Sequence, residues 1–400
     1  MKFSSLNRLA LGQSEDNKSF SDKLLQSTLG SFLKSNIQLQ RFYKPDLKSG
    51  KYQLKEIEYQ DTIDGQTWMP RSRVQYTYEK NLVTKSLYQE YRQNNQEWIN
   101  SFQFLYVYHA GNLAKKTTNQ YWDNEKKAWI NQHLTLYDYD ANQRMKTVIH
   151  KIWNANPDGW RNSYKEAYRY DNTGLLSELG KFSFREETWV ADSRHLYRYG
   201  NNNNLSSETI QQKQADTKRW VNFFRHCYSY NSNNQRTKEI YQNWLYESAR
   251  WLNNTQTIYI YDRKTGKLIG HRFQQWNKAT EGWYNETQYL YAYYPENFLK
   301  EFLIQSWSDQ TNNWFDAHRS RYFYDGRGRI LEDFFENKFD EWTIEYAEFY
   351  SYDKNGNLRI VLTRHGEEGA APLIDTHKTL YSYQKLNPAI DEPNPERQKF

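Results

Sequence analysis

Trp-Leu-Asn-Asn-Thr-Gln-Thr-Ile-Tyr-Ile-Tyr, residues 251–261, decides the fold. Trp251, Asn253, Thr255, Thr257, Tyr259 and Tyr261 share one parity; Leu252, Ile258 and Ile260 share the other. Alternate residues of a strand face opposite sides. The spacing therefore predicts a strand of about ten residues with Trp and both Tyr on one face, built from side chains that strands favour. A helix would scatter the three rings around its circumference. Residues 98–108 repeat the pattern, with Trp98, Asn100, Phe102, Phe104, Tyr106 and Tyr108 in phase.

The stretch is one copy of many, and internal repeats outrank every other signal. Tyr-x-Tyr recurs eleven times, its second Tyr at 78, 108, 139, 170, 199, 230, 261, 293, 324, 352 and 383. Ten residues before each of the first ten stands an anchor Trp: Trp68, Trp98, Trp129, Trp160, Trp189, Trp220, Trp251, Trp283, Trp314 and Trp342. The remaining five, Trp122, Trp153, Trp244, Trp276 and Trp307, share a second repeat position. Two positions thus account for every Trp in the chain.

Turn chemistry follows the second Tyr, as in Asp262-Arg-Lys-Thr-Gly266 and Asp353-Lys-Asn-Gly356. Asp hydrogen-bonds its own backbone and Gly supplies positive φ, which suits a type I turn with a Gly bulge. A return strand opens on Leu or Ile (Leu175, Leu268, Ile330) and ends at the second Trp. Two Trp flanking a polar loop suit a cross-strand aromatic pair. The expected fold class is all-β: about eleven 31-residue β-hairpin repeats in one coiled antiparallel sheet. Some 22 strands at about 4.8 Å would make a flat sheet about 100 Å wide. Twist forbids that, so the expectation is an open spiral or solenoid with the Trp/Tyr face inward.

The ends differ from the middle. Residues 1–18 read as a flexible N-terminus, and 19–49 as a helical cap or leader segment. Ser19-Phe-Ser-Asp22 resembles a capping box, and Phe20, Leu24, Leu25, Leu29, Phe32 and Leu33 form a helical stripe over 19–34. Residues 50–385 read as a single repeat domain, with 50–67 a partial repeat. Leu373 stands where the last unit's Trp should be, as a terminal cap might have it. Residues 386–400, with Pro388, Pro393 and Pro395, read as a disordered tail.

Composition excludes several classes. In 400 residues there are 35 Tyr, 20 Phe and 15 Trp, so a mean hydropathy of −1.09 does not signal disorder. No apolar run is long enough for a membrane-spanning helix. One Cys, Cys227, excludes an intrachain disulfide framework and a Cys-based zinc site. A net charge of +6 from 54 basic and 48 acidic residues reads as a mixed surface without nucleic-acid partners. The N-terminus shows no clear signal peptide.

The usual catalytic signatures do not occur, and neither cofactor nor metal is expected. His195 and His226 are both six residues after their anchor Trp, which brings two imidazoles near each other on adjacent repeats. A metal site needs more converging ligands, so packed histidines are the reading. Asp353-x-Asn355-Gly356 carries oxygen ligands but lacks the spaced acids of a calcium loop; a turn suffices. Cys227 is assigned to the face opposite the Trp/Tyr row. Asn recurs two residues after Trp (Asn100, Asn131, Asn162, Asn222, Asn253, Asn285, with Asp316 substituting). That suits an Asn ladder or loop-capping hydrogen bonds. The anchor Trp read as core, whereas the loop-flanking Trp122, Trp153, Trp244, Trp276 and Trp307 are the candidate ligand-binding residues.

Tyr350-Ser-Tyr-Asp-Lys-Asn-Gly-Asn-Leu358 and Tyr322-Phe-Tyr-Asp-Gly-Arg-Gly-Arg-Ile330 resemble the repeat of the YD/RHS superfamily. The chain is also similar to Trp-rich repeat proteins secreted by Bacteroidetes-type bacteria. The resemblance covers about residues 68–383. It implies β-hairpin spirals on extracellular or toxin-delivery proteins. The functional expectation is a non-enzymatic exported scaffold for adhesion or surface binding, its partner a polysaccharide or cell-surface component. The alternative is a leaderless cargo, cytoplasmic until loaded into the tube of a phage-tail-like injection particle.

Overall fold

A computed structural model describes residues 48–49, 51–62, 64–200, 202–214, 216–367 and 370–386. Expectations for 1–18, for a helix over 19–34 and for a tail over 387–400 fall outside the described residues. The chain divides at Tyr52. A two-residue strand, β1 (Lys48–Ser49), belongs to the first unit. Every other strand belongs to the second, and no helix occurs among the described residues.

Anchor strands run from the Trp to the second Tyr: β3 (Trp68–Glu79), β5 (Glu97–Tyr108), β7 (Ala128–Tyr139), β9 (Asp158–Tyr170), β11 (Thr188–Tyr199), β13 (Trp220–Tyr230), β15 (Arg250–Tyr261), β17 (Gly282–Tyr293), β19 (Asn313–Tyr324), β21 (Trp342–Tyr352) and β23 (Ala370–Lys385). Return strands alternate with them: β2 (Tyr52–Thr62), β4 (Leu82–Arg92), β6 (Ala114–Asp123), β8 (Met145–Ala155), β10 (Leu176–Arg185), β12 (Leu205–Lys213), β14 (Arg236–Leu245), β16 (Leu268–Asn277), β18 (Leu299–Ser308), β20 (Ile330–Lys338) and β22 (Leu358–Glu367).

The open spiral is overturned at the ends of the sheet. β2 pairs antiparallel with β3 on one side and with β23 on the other, from Tyr52–Lys385 to Asp61–His377. The 22 strands β2–β23 therefore close into a barrel. Closure leaves no edge with unpaired backbone. The partial repeat at 50–67 is the return strand that the eleventh unit lacks. Leu373 stands beside this seam and caps nothing.

The register explains why the sheet curls shut. Ile258 pairs with Arg272, and Arg272 with Gln288. Ile258 is seven residues past Trp251, but Gln288 is only five past Trp283. Each hairpin thus slips the ladder by two residues, and such a cumulative stagger accompanies the tilt of roughly 35–45° that closed barrels require. Strands at about 4.8 Å, tilted by that angle, make a ring roughly 130–150 Å around and over 40 Å across.

One irregularity recurs in all eleven anchor strands. The ladder skips the third residue after the anchor position: Gln242 pairs with Asn253 and Tyr241 with Thr255, passing over Asn254. The same skip occurs at Arg71, Ser101, Gln132, Ser163, Asp192, Phe223, Glu286, Ala317, Glu345 and Thr376. An extra residue on one strand is a β-bulge, and a one-residue slip exchanges the faces beyond it. Trp and Tyr therefore lie on opposite faces, contrary to the parity expectation. Arg225, Cys227 and Gln242 share the tryptophan face with Trp251. His226, Tyr228, Glu239 and Tyr241 share the tyrosine face. Cys227 thus joins the Trp, and His195 and His226 leave it.

The tyrosine face is the concave one. The residue between the two Tyr is exposed in all eleven anchor strands (Thr77, Val107, Asp138 and their counterparts), whereas the flanking Tyr are buried or half-buried. Side chains of neighbouring strands converge on the inside of a curved sheet and diverge on the outside. The second Tyr ties repeats together there: Tyr261 donates its hydroxyl to the Arg236 carbonyl at 2.9 Å, and Tyr108, Tyr230, Tyr293 and Tyr324 do the same one repeat apart. At the turns, Asp262 accepts from the Lys264 and Thr265 amides, and Asp353 from those of Asn355 and Asn357. Gly266 and Gly356 have φ of +68° and +86°, where side chains are strained. These carboxylates serve their own turns.

Candidate functional site

Each loop-flanking Trp meets its anchor Trp directly across the ladder. Trp122–Trp129, Trp153–Trp160, Trp244–Trp251, Trp276–Trp283 and Trp307–Trp314 have ring centroids 4.9–5.1 Å apart and lie edge to face. This geometry matches the quadrupoles of the rings. All ten are half-buried, so neither a closed core nor a fully solvated row describes them. Where the second Trp is missing, Tyr91 and Phe184 take its place against Trp98 and Trp189.

The recurring Asn sits beside these pairs in a cross-strand amide belt. Gln242 Nε2 donates to Asn253 Oδ1 at 2.7 Å, Gln274 to Asn285 at 2.8 Å, and Gln305 to Asp316 at 2.7 Å. The Asn does not stack on Asn, and it does not cap the loop. It orients a glutamine on the return strand. That glutamine then accepts from a cation five residues after the previous anchor: Arg73 Nε to Gln89, Arg194 to Gln211 and Arg225 to Gln242, at 2.6–2.7 Å. The same guanidinium lies over the next repeat's Trp, with Arg73 on Trp98 at 4.3 Å, Arg194 on Trp220 at 4.5 Å and Arg225 on Trp251 at 4.5 Å. A cation over an indole face is attractive. Sequence reading missed this Arg–Gln–Asn–Trp unit, although its Arg-to-Trp offset recurs.

A groove of about 490 Å³ lies among Gln242, Trp251, Asn253 and Trp276, with Arg250, Lys278 and Glu281 at its rim. It joins a loop-flanking Trp to the anchor Trp of its own hairpin, β15–β16. Two indoles with amides between them form a platform that offers both ring faces and hydrogen-bonding groups.

The concave face has a different chemistry. It gathers His133, His150, His195, His226, His271, His318, His365 and His377 among the Tyr, leaving only His109 to a turn. Its ladders carry Asp61, Glu166, Asp192, Glu208, Glu239, Asp333, Glu345 and Glu348 against few cations, chiefly Arg71, Arg161, Lys181 and Arg236. His195 Nδ1 meets Glu208 at 2.7 Å, and His226 meets Glu239 at 3.0 Å. The expected imidazole neighbours therefore have a carboxylate between them, since Glu208 also pairs across the ladder with His226. Hydrogen bonding to His195 holds Glu208 below the usual carboxylate range. Burial pushes Glu239 up, but His226 and Arg236 pull it down overall. Burial raises the phenols, taking Tyr259 up to about 12 with help from Glu239. Burial also lowers His271 to about 3; its ring stacks on Tyr289 at 4.2 Å. Among the described residues no cluster of His, Cys, Asp and Glu has the geometry of a metal site.

No family model and no curated protein matches the sequence. Similar solved structures include a Bacteroides fragilis protein of unknown function, at 17% identity and a TM-score of 0.27, covering 32% of this chain and 88% of that one. A DUF3836 family protein from Bacteroides vulgatus is 28% identical with a TM-score of 0.20, over 23% and 89%. A TcdB2–TccC3 chain is 11% identical with a TM-score of 0.31, over 87% of this chain and 20% of its own.

Proposed function

We propose that this protein is a non-enzymatic binding scaffold that works outside the producing cell, with polysaccharide held on the convex tryptophan face. The observation that carries the reading is the groove between Trp251 and Trp276, floored by Gln242 and Asn253. Sugar rings present flat C–H faces to indoles and hydroxyls to amides. The Trp pairs give the first, and the Gln–Asn belt, already oriented by its own hydrogen bonds, gives the second. Repetition around the barrel adds avidity, because one polymer engages several weak subsites at once.

The barrel belongs in water. Barrels that span a membrane turn an apolar band to lipid. Here the convex face instead carries Arg194, Arg225 and Arg319.

Intrinsic Trp fluorescence tests the reading. A soluble glycan should shift the emission of the intact protein, and Trp276→Ala together with Trp244→Ala should reduce the shift. An unmoved spectrum across a broad panel of neutral and acidic glycans would overturn it.

A further inference from the structure

The cations that cover the anchor Trp are not equivalent. Arg319 gives its Nε and one terminal amine to Glu336, which is nearly fully buried, and Arg321 converges on the same carboxylate. Each of the two guanidiniums thus has a carboxylate partner. Arg73 has Glu56 at 3.7 Å. Arg194 and Arg225 differ. Each lies over a Trp and donates Nε to a neutral glutamine. Among the described residues neither has a carboxylate within ion-pair distance. Lys213 adds a second cation over Trp220, at 4.9 Å.

These groups stand on adjacent repeats, β11–β13 and β13–β15, two strand spacings or about 10 Å apart around the barrel. The next step in the same direction is the Trp251–Trp276 groove, whose rim carries Arg250 and Lys278 against the single acid Glu281. Aromatic platform and uncompensated positive charge thus alternate along one track of the convex face. Among the described residues only the Nε of each of these two guanidiniums has a hydrogen-bond partner, and the terminal amines form a fork that suits carboxylate or sulfate.

We propose that this track, over Arg194, Trp220, Arg225, Trp251 and Trp276, binds an anionic polysaccharide, its sugar rings on the indoles and its acid groups on the two arginines. The inference rests on the glycan reading of the tryptophan face and specifies its ligand class.

Polygalacturonate and its fully methyl-esterified form separate charge from sugar, and dextran sulfate against dextran separates sulfate from carboxylate. The intact protein should bind an acidic polymer at least tenfold more tightly than its neutral counterpart, and salt should weaken that binding steeply. Arg194→Gln with Arg225→Gln should abolish the preference and the salt dependence. Should the pair fail to fold, the salt titration of the unaltered protein still decides. Equal affinity for esterified and free polymer would overturn the anionic assignment and leave the glycan reading standing. Silence toward every polymer would overturn both. Preference for only the sulfated or only the carboxylated polymer would fix the acid group.

Discussion

His271 is 5% exposed, stacked on Tyr289, with its Nδ1 3.2 Å from the Tyr291 hydroxyl. Burial there disfavours the imidazolium and holds the group down to about 3. An unfolded chain would bind a proton at that position below about pH 6.5, while the folded chain does not. Stability is then fully present above pH 6.5 and falls with pH until about 3. The loss grows by about 1.4 kcal/mol for each pH unit and reaches on the order of 5 kcal/mol. Between pH 6.5 and 5 ordinary carboxylates stay ionised, so histidines set the slope. His271→Phe keeps a stacked ring but removes the proton site and one hydrogen bond worth about 1 kcal/mol. The variant should melt slightly earlier at pH 7.5 and show a flatter dependence of urea midpoint on pH down to 5. An unchanged slope would mean that His271 charges freely in the folded protein. Nothing in the sequence marked this histidine, because burial of one imidazole among eight on a face is set by packing across three strands.

The hairpin was legible and its faces were not. Trp-to-Tyr spacing, the Asp-x-x-Gly turns and the Trp–Trp pairing all stand as read, since each depends on neighbours close in sequence. Parity failed because it assumes an unbroken alternation, and the skip at Asn254 inserts one residue. The one sequence cue was the mismatch itself. Leu252 lies on the minority parity with Ile258 and Ile260, yet a bulge between them puts it with Tyr259. The bulge has a job, which is to turn the indoles outward onto the Arg–Gln belt while the phenols face inward. Deletion of Asn254 should therefore be far worse than Asn254→Ala. The substitution preserves the count and should cost under about 0.5 kcal/mol, as for an ordinary surface change. The deletion drives Tyr259 and Tyr261 toward the tryptophan face in one repeat and strands the Arg236 carbonyl that Tyr261 satisfies. It should lower the thermal midpoint by many degrees or prevent folding. Equal midpoints for the two variants would show that the register heals without the extra residue.

At the scale of the molecule, closure was written in two halves that look like defects when read separately. The first repeat has a return strand without an anchor, and the last has an anchor without a return strand. The first reads in the sequence as a partial repeat and the second as a terminal cap of a spiral, because a repeat period describes neighbours and carries no information about where a ring shuts. What shuts it is the two-residue stagger, accumulated over eleven hairpins until β23 reaches β2. The seam then reproduces the interior contacts. Lys378, five residues past Leu373, lies over Trp68 at 4.1 Å, as Arg225 lies over Trp251. Tyr78 donates to the Leu54 carbonyl as Tyr261 does to that of Arg236. His377 Nδ1 adds a contact to Asp61 at 2.8 Å. Amides of β2 and β23 should consequently exchange with deuterium as slowly as those of β13 and β14, because a closed ladder has no fraying edge and opens only with the whole. In an open spiral the two terminal strands would each leave one row of amides to water, and peptides covering 52–62 and 370–385 would exchange orders of magnitude faster than the middle. Hydrogen exchange read by mass spectrometry separates the two cases without any substitution. Lys378→Gln sharpens the test: loss of the cation over Trp68 should speed exchange in both seam strands together while β13 and β14 keep their rates.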